Sequence, residues 1–371
     1  MKIEKKNETK LELFIVILFF SFIVIGYSIF KKQYVFLILL SLFILVINNK
    51  YGFNLKITFL LLILIYTLFL ITIKYFAIDT KFLKTLITNK IPNFWLVRYK
   101  AINYINLIYG NKSTSDFINL ILFNYKSSYS IEIYQKIIQL SIVHLFVISG
   151  MHINFLFTLV RKIFFKKEKY TFINNLINIL ICIVYIYFLN FSIAILRITI
   201  NCIIKMINKK IKWLSINSIS GTFVLLVFPK EVINYGFLMS YLCVITIGLV
   251  VKNDLSKLIK VIIINFFCIL ITLPIIIEIN GKINVFAIFL SIIYLPITLF
   301  CYFWYLIFAW WIPLLQINMV IFNIIDAIIN WTIQITFPIS INKLGPFFLT
   351  GYYFLVFLLI YLWKKFQKIS N

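Results

Sequence analysis

The chain has 371 residues, of which 63% are hydrophobic and only 13% are charged, and its formal net charge is +25. A soluble domain of this length cannot bury so much apolar surface, so the composition excludes a soluble globular protein and indicates an integral membrane protein. The apolar runs are continuous rather than alternating, which excludes a transmembrane β-barrel and predicts an all-α, polytopic membrane fold.

Apolar runs that are candidates for a helical crossing recur along the whole chain. The candidate runs lie at 13–30, 34–48, 57–73, 138–160, 172–190, 191–208, 215–228, 235–251, 261–278, 285–311, 318–337 and 348–363. Several are short, and the run at 285–311 fits either one tilted helix or two broken ones. Because each crossing needs about 17–25 apolar residues, we expect about eleven transmembrane helices.

Lysine-rich loops predict the sidedness and the organisation of the chain. The loops at 161–169, 205–212 and 252–260 and the tail after 363 are basic, and the positive-inside rule places them in the cytoplasm. Counting crossings from these loops gives three consecutive parts. Residues 1–73 form an N-terminal region of three spans, residues 74–137 form an external segment, and residues 138–371 form the transmembrane core.

The predicted external segment, 74–137, is basic and only moderately apolar. It holds nine Lys or Arg residues against three acidic ones. One interpretation is an electrostatic collar that concentrates a polyanion; the other is lysine-biased coding combined with contacts to anionic lipid. Within it, Phe117, Leu120, Ile121 and Asn124 recur at helical spacing, which predicts an amphipathic helix at the membrane interface.

Residues 141–154 are the most informative stretch, because both histidines of the protein lie in this apolar run. Polar side chains inside a span face protein or water, so they mark an interior surface. On one continuous helix His144 and His152 share a face, and Gly150 permits a kink between them. The candidate channel-lining residues here are His144, Ser149, Gly150, His152 and Asn154.

The same stretch does not predict catalysis. Two histidines eight residues apart, without a nearby carboxylate, make a poor metal site, and a Ser-His pair without an orienting acid makes a poor nucleophile. We therefore expect no enzymatic activity, no metal and no cofactor.

Ionisable residues inside later apolar runs are expected to be paired or functional. Arg197 and Asp326 are the main examples. Arg197 is expected to pair with Asp326 across the bundle, and contact with a passing phosphate is the alternative.

Four short patterns, in order along the chain, carry a resemblance to one family. The first comprises His144, Leu145, Ile148, Ser149, Gly150 and His152. The others comprise Phe191, Ser192 and Arg197, then Pro229, Gly236, Phe237 and Ser240, and finally Pro274, Ser291 and Pro296. Over residues 95–340 the chain thereby resembles the ComEC family of competence proteins, although that family usually has Asn where Ser291 stands.

The resemblance implies a channel that passes single-stranded DNA across the plasma membrane during natural transformation. It adds Arg197, Gly236 and Ser240 to the candidate site residues. The family commonly also has an external oligonucleotide-binding domain and a metallo-β-lactamase-like nuclease domain. Residues 74–137 leave little room for the first, and the chain has no His-x-His-x-Asp-His cluster for the second. It also lacks a P-loop motif. We therefore expect separate proteins to deliver the strand and to pull it inward.

Other functions and assemblies stay open at this point. A small-solute transporter of the plasma membrane is the alternative function, and it would be favoured by broken helices in repeated positions. A membrane-embedded hydrolase is disfavoured, because the chain has no paired-carboxylate or His-Glu-x-x-His motif. The lipid bilayer and single-stranded DNA are the expected partners, and a homo-oligomer is not excluded.

Overall fold

The chain is described by a computed structural model that covers residues 2–32, 37, 40, 57–75, 94–110, 112–125, 131–164, 171–189, 192–208, 211–250, 256–341 and 345–369. Most of the predicted span at 34–48 lies outside these residues. So do Phe191 of the second family pattern and the loop lysines Lys166 and Lys209.

Helices make up nearly all of the described chain, which confirms the helical class. They are α1 (Lys2–Lys31), α2 (Ile57–Tyr75), α3 (Phe94–Tyr109), α4 (Lys112–Phe123), α5 (Ile131–Gln139), α6 (Val143–Phe146), α7 (Gly150–Phe164), α8 (Thr171–Phe188), α9 (Ile193–Ile207), α10 (Trp213–Val227), α11 (Tyr235–Val250), α12 (Lys257–Asn280), α13 (Ala287–Phe308), α14 (Leu315–Ile335) and α15 (Pro346–Ile369). Short 3-10 turns lie at Pro229–Ile233 and Ile312–Leu314.

One short strand pair was not predicted from the sequence. Strands β1 (Lys282–Asn284) and β2 (Pro338–Ser340) pair antiparallel, with Ile283 opposite Ile339. The pair joins the segment after α12 to the segment after α14. The connection after α12 and the connection after α14 therefore lie side by side, beyond the C-terminal ends of these two helices.

Among the described residues, five helical segments are long and apolar enough to cross a membrane. They are Phe14–Lys31, Val143–Ile163, Ile259–Asn280, Ala287–Phe308 and Ile312–Ile335. Shorter apolar helices lie at Phe59–Lys74, Phe172–Phe188, Trp213–Val227, Tyr235–Val250 and Gly351–Ile360. The ambiguous run at 285–311 contains a single helix, α13, with Pro296 inside it. The count of about eleven crossings, which rests on span length, stays a prediction.

Two compact units are built from parts of the chain that are not consecutive. Unit 1 comprises Met1–Ile87, Arg197–Val250 and Gly345–Asn371, and unit 2 comprises Thr88–Leu196 and Val251–Leu344. The three consecutive parts expected from the sequence therefore do not coincide with the packed units. The segment 74–137 is divided, and most of it belongs to unit 2.

In unit 1, aromatic side chains of α1 pack against α2, α10 and α11. Phe22 stacks on Tyr66 with ring centroids 3.9 Å apart, and Phe19 lies 5.2 Å from Tyr241. Gly221 lets α10 approach α1, because a Cβ at that position would lie 2.2 Å from the Phe19 ring. This close approach needs a residue without a side chain.

In unit 2, the helix predicted at the membrane interface is buried instead. The helix itself exists as α4, but every residue from 114 to 123 is buried. Phe117 contacts the rings of Phe146, Tyr305 and Phe322. The buried amide of Asn119 donates to Asn106 Oδ1 at 2.8 Å, which offsets part of the cost of burying a polar group. Helix α4 therefore has no exposed face over residues 114–123, and its position at the membrane interface stays a prediction.

The segment that contains α3, α4 and α5 runs from one end of α13 to the other. The Tyr109 hydroxyl donates to the Ala309 carbonyl, 3.0 Å away, just beyond the last turn of α13. Burial raises the pKa of the Tyr109 hydroxyl. At the opposite end, the Asn284 N–H donates to Ser141 Oγ at 3.0 Å. The external position expected for residues 74–137 stays a prediction.

Candidate functional site

The polar stretch at 141–154 is not one continuous helix. Helix α6 ends at Phe146, and Val147 is extended, with φ −81° and ψ 135°. Helix α7 begins at Gly150. The prediction that His144 and His152 share a face of one helix was therefore wrong, because the backbone leaves helical geometry between them.

Ser149 and His152 together form the start of α7. Ser149 Oγ accepts the Met151 N–H at 3.3 Å, and His152 Nδ1 accepts the Ser149 N–H at 3.2 Å. This is the reciprocal arrangement of a capping box, with His in the place usually taken by Glu or Gln. Because Nδ1 is the acceptor, Nε2 carries the proton of the neutral ring. The Ser-x-x-His spacing was the signal for this contact, which sequence reasoning missed.

Within unit 2, a group of buried polar side chains lies next to His152. His152 is 2% exposed, and its ring lies edge-on to Tyr302 at a centroid distance of 5.0 Å. The Tyr302 hydroxyl donates to the Tyr185 hydroxyl at 2.5 Å. Asn178, about two turns earlier on α8 at 3.6 residues per turn, is also buried, and its Oδ1 has no hydrogen-bond partner among the described residues. Sequence reasoning missed these residues; the spacing of Asn178 and Tyr185 on one helical face was the available signal.

The three remaining candidate residues of this stretch lie in different environments. Gly150 is buried at the first turn of α7, and His144 is half-buried on α6. Asn154 is exposed, and its carbonyl accepts a hydrogen bond from Thr158 Oγ1 at 2.9 Å. The five predicted residues therefore include one contacting pair, Ser149 and His152.

In unit 1, Gly236 also lies at the start of a helix. Asn234 Oδ1 accepts the Gly236 N–H at 2.9 Å, as an N-cap side chain does at position N2. A Cβ at position 236 would lie 3.2 Å from that oxygen, so glycine leaves room for the cap. The family patterns around 149–152 and 234–236 thus both build the N-terminus of an apolar helix.

Arg197 is a buried cation of unit 1. Its side chain is 5% exposed, and Nη1 donates to the Ser240 carbonyl at 2.5 Å. The guanidinium lies 5.5 Å from the centre of the Tyr241 ring. Nε has no hydrogen-bond partner among the described residues.

Asp326, the expected partner of Arg197, has partners within unit 2. Asp326 Oδ1 accepts from Lys136 Nζ at 3.1 Å, and Asp326 Oδ2 accepts from Asn330 Nδ2 at 3.0 Å. The Asp326 carboxylate is therefore engaged within unit 2, and its pairing with Arg197 stays a prediction.

No metal-ligand group accompanies these residues in the described ranges. No set of three or more His, Cys, Asp or Glu residues is close enough there to hold a metal ion. A groove of about 360 Å³ between α13 and α14 is lined by Pro296, Ile297, Phe300, Cys301, Ile321, Ile324, Ile325 and Ile328. Its lining is apolar, so it differs in chemistry from the group of buried polar side chains next to His152.

Comparisons with known proteins agree with the motif positions. A family model described as Competence protein matches residues 121–366. The uncharacterized protein MG316 of Mycoplasma genitalium is 27% identical over 360 residues, which cover 95% of this chain and 91% of that protein. Its homolog in Mycoplasma pneumoniae is 26% identical over 223 residues, which cover 58% of this chain and 60% of that protein. No solved structure matches the chain. The matched region includes the interrupted stretch and Arg197.

Proposed function

Because this chain belongs to the ComEC family of competence proteins, we propose that it forms the path by which single-stranded DNA crosses the plasma membrane during DNA uptake. In this proposal the protein is a multi-pass conduit rather than an enzyme, and it uses no cofactor. Separate proteins deliver the strand and pull it inward.

The interruption of an apolar span at Val147–Ser149 is the observation that carries the proposal. Non-helical backbone at membrane depth is tolerated only where it is buried in protein or lines a water-filled cavity. Here the interruption is followed directly by the capped start of α7. The His152 ring in that first turn contacts the ring of Tyr302, whose hydroxyl donates to the Tyr185 hydroxyl. A conduit for a charged strand needs a polar lining, and polar groups inside an apolar span are the material for one.

A small-solute transporter is the second candidate, and the same interruption favours it. Transporters often place a discontinuous helix at the substrate site, and the pair α6 and α7 has that form. The two candidates differ in the size and charge of what they pass.

Reconstitution of the purified full chain in liposomes separates the two functions. A labelled single-stranded 20-mer is added outside under a membrane potential that is positive inside the liposome, and external nuclease then removes unprotected strand. The proposal expects protected DNA that depends on the protein. Passage of small solutes without protection of DNA would support the transporter instead.

A matched pair of variants links passage to the group of buried polar side chains next to His152. Tyr302→Phe removes one buried hydroxyl that contacts Tyr185 and is expected to lower DNA protection severalfold. Thr158→Val removes a hydroxyl from the exposed face of α7 and is expected to leave protection unchanged. Equal protection by both variants would contradict a role of this group in passage.

A further inference from the structure

We propose that Arg197 binds the phosphodiester backbone of the strand, an inference that rests on the proposed function. Arg197 is permanently charged, 5% exposed and without an ion-pair partner among the described residues. The proposal gives unit 1 a binding site that recognises the charge of the backbone rather than the identity of the bases.

Burial without a counter-ion is the first argument. A charge removed from water is costly unless it is paired, and leaving one uncompensated in the interior costs several kcal/mol. For comparison, the partly buried Lys136 of unit 2 has an acid beside it, since its Nζ lies 3.1 Å from Asp326 Oδ1. Arg197 instead has a carbonyl, Ser240 O, and the Tyr241 ring. These groups orient the guanidinium but leave its net charge in place.

The geometry of the guanidinium is the second argument. Its planar fork of donors matches two oxygens of a phosphate group. The Ser240 carbonyl occupies Nη1 and fixes the plane of the fork, while Nε has no partner among the described residues. Nε is buried, so a phosphate oxygen that reached it would find a fixed cation with a vacant donor.

The surroundings of Arg197 are the third argument, because they are polar but uncharged. One turn later on α9, Asn201 Nδ2 donates to Asn217 Oδ1 of α10 at 2.8 Å. The Tyr241 hydroxyl lies 3.4 Å from Ser220 Oγ. Amides and hydroxyls accommodate phosphate oxygens, and none of these side chains carries a negative charge that would repel a polyanion.

The test measures binding of two oligothymidylates to the full chain in lipid nanodiscs. One strand has normal phosphodiester linkages, and the other has neutral methylphosphonate linkages. For Arg197→Gln we expect about tenfold weaker binding of the normal strand, the effect of losing a hydrogen bond to a charged group, and no change for the neutral strand. The plot of the log of the association constant against the log of the salt concentration should become less steep. The magnitude of its slope should decrease by about 0.7, as expected for one lost phosphate contact with a single strand.

Two further variants keep the test decisive. Arg197→Lys keeps the charge and should keep the salt slope while binding more weakly, because the fork is lost. Lys205→Gln, an exposed cation on the same helix, should change the preference for the normal strand much less. If Arg197→Gln and the parent bind the normal strand equally, with the same slope, the phosphate site is refuted and the conduit stands. If the parent binds neither strand, both proposals are refuted.

Discussion

Lys136 Nζ lies 3.1 Å from Asp326 Oδ1, and the contact joins α5 to α14 inside unit 2. The two side chains are 21% and 28% exposed, so water screens their attraction only in part. Glu132 is also within 3.4 Å of Lys136 but is 80% exposed. Asp326 is therefore the main partner of Lys136.

Replacing Asp326 by Asn should destabilise unit 2. We expect a loss of about 1–3 kcal/mol in the free energy of unfolding, between the values typical of exposed and of buried pairs. The measurement is the thermal unfolding midpoint of the purified protein in detergent. Glu132→Gln is the control and should lower the midpoint only slightly. The charge-reversed double variant K136D/D326K should recover part of the loss, and an unchanged midpoint for Asp326→Asn would contradict the pair's role.

His152 should tolerate Gln better than Leu, because its structural task is to accept the Ser149 N–H. Glutamine is a usual acceptor at this position of a capping box. Leucine leaves a part-buried N–H without its partner, which costs up to about 1–3 kcal/mol. Thermal unfolding of the two variants side by side checks this. Equal midpoints for His152→Gln and His152→Leu would show that the cap contributes little.

Alanine at position 221 should separate α10 from α1. Its Cβ would lie 2.2 Å from the ring of Phe19, which is fully buried, and overpacking of this kind costs about 1–3 kcal/mol. Gly351→Ala is the matched control, because nothing lies within 4 Å of a Cβ at that helical position. There alanine should be neutral or stabilising, by up to about 1 kcal/mol. A midpoint for Gly221→Ala at or above the parent's would be evidence against this packing.

Lys112 should lie on the opposite side of the membrane from Lys282. Helix α13 is long enough to cross, Tyr109 contacts Ala309 at one of its ends, and Ser141 contacts Asn284 at the other. Lys112 follows Tyr109 by three residues, so it should share a side with Trp311. Single cysteines at 112, 282 and 311, in a background without the five native cysteines, can be labelled with an impermeant reagent. Labelling of 112 and 282 from one side would overturn the assignment.

Local patterns in the sequence were enough to predict the helical class and to find the polar side chains inside apolar runs. A continuous apolar run of sufficient length predicts a membrane-spanning helix, because every side chain along it is compatible with lipid. The polar stretch at 144–152 and Arg197 could be found because a polar group in an apolar run has few tolerable environments. The family resemblance rested on the same residues, and the matched region 121–366 confirms it.

Contacts between distant residues were decided by tertiary structure. Lys136 and Asp326 are 190 positions apart, and no local pattern distinguishes Lys136 from any other lysine as the partner of that carboxylate. Helix α4 has the periodicity of an interfacial helix, yet Phe117 is buried because α13 and α14 supply Tyr305 and Phe322 around it. Periodicity shows which side chains share a face. What covers that face depends on how the whole chain packs.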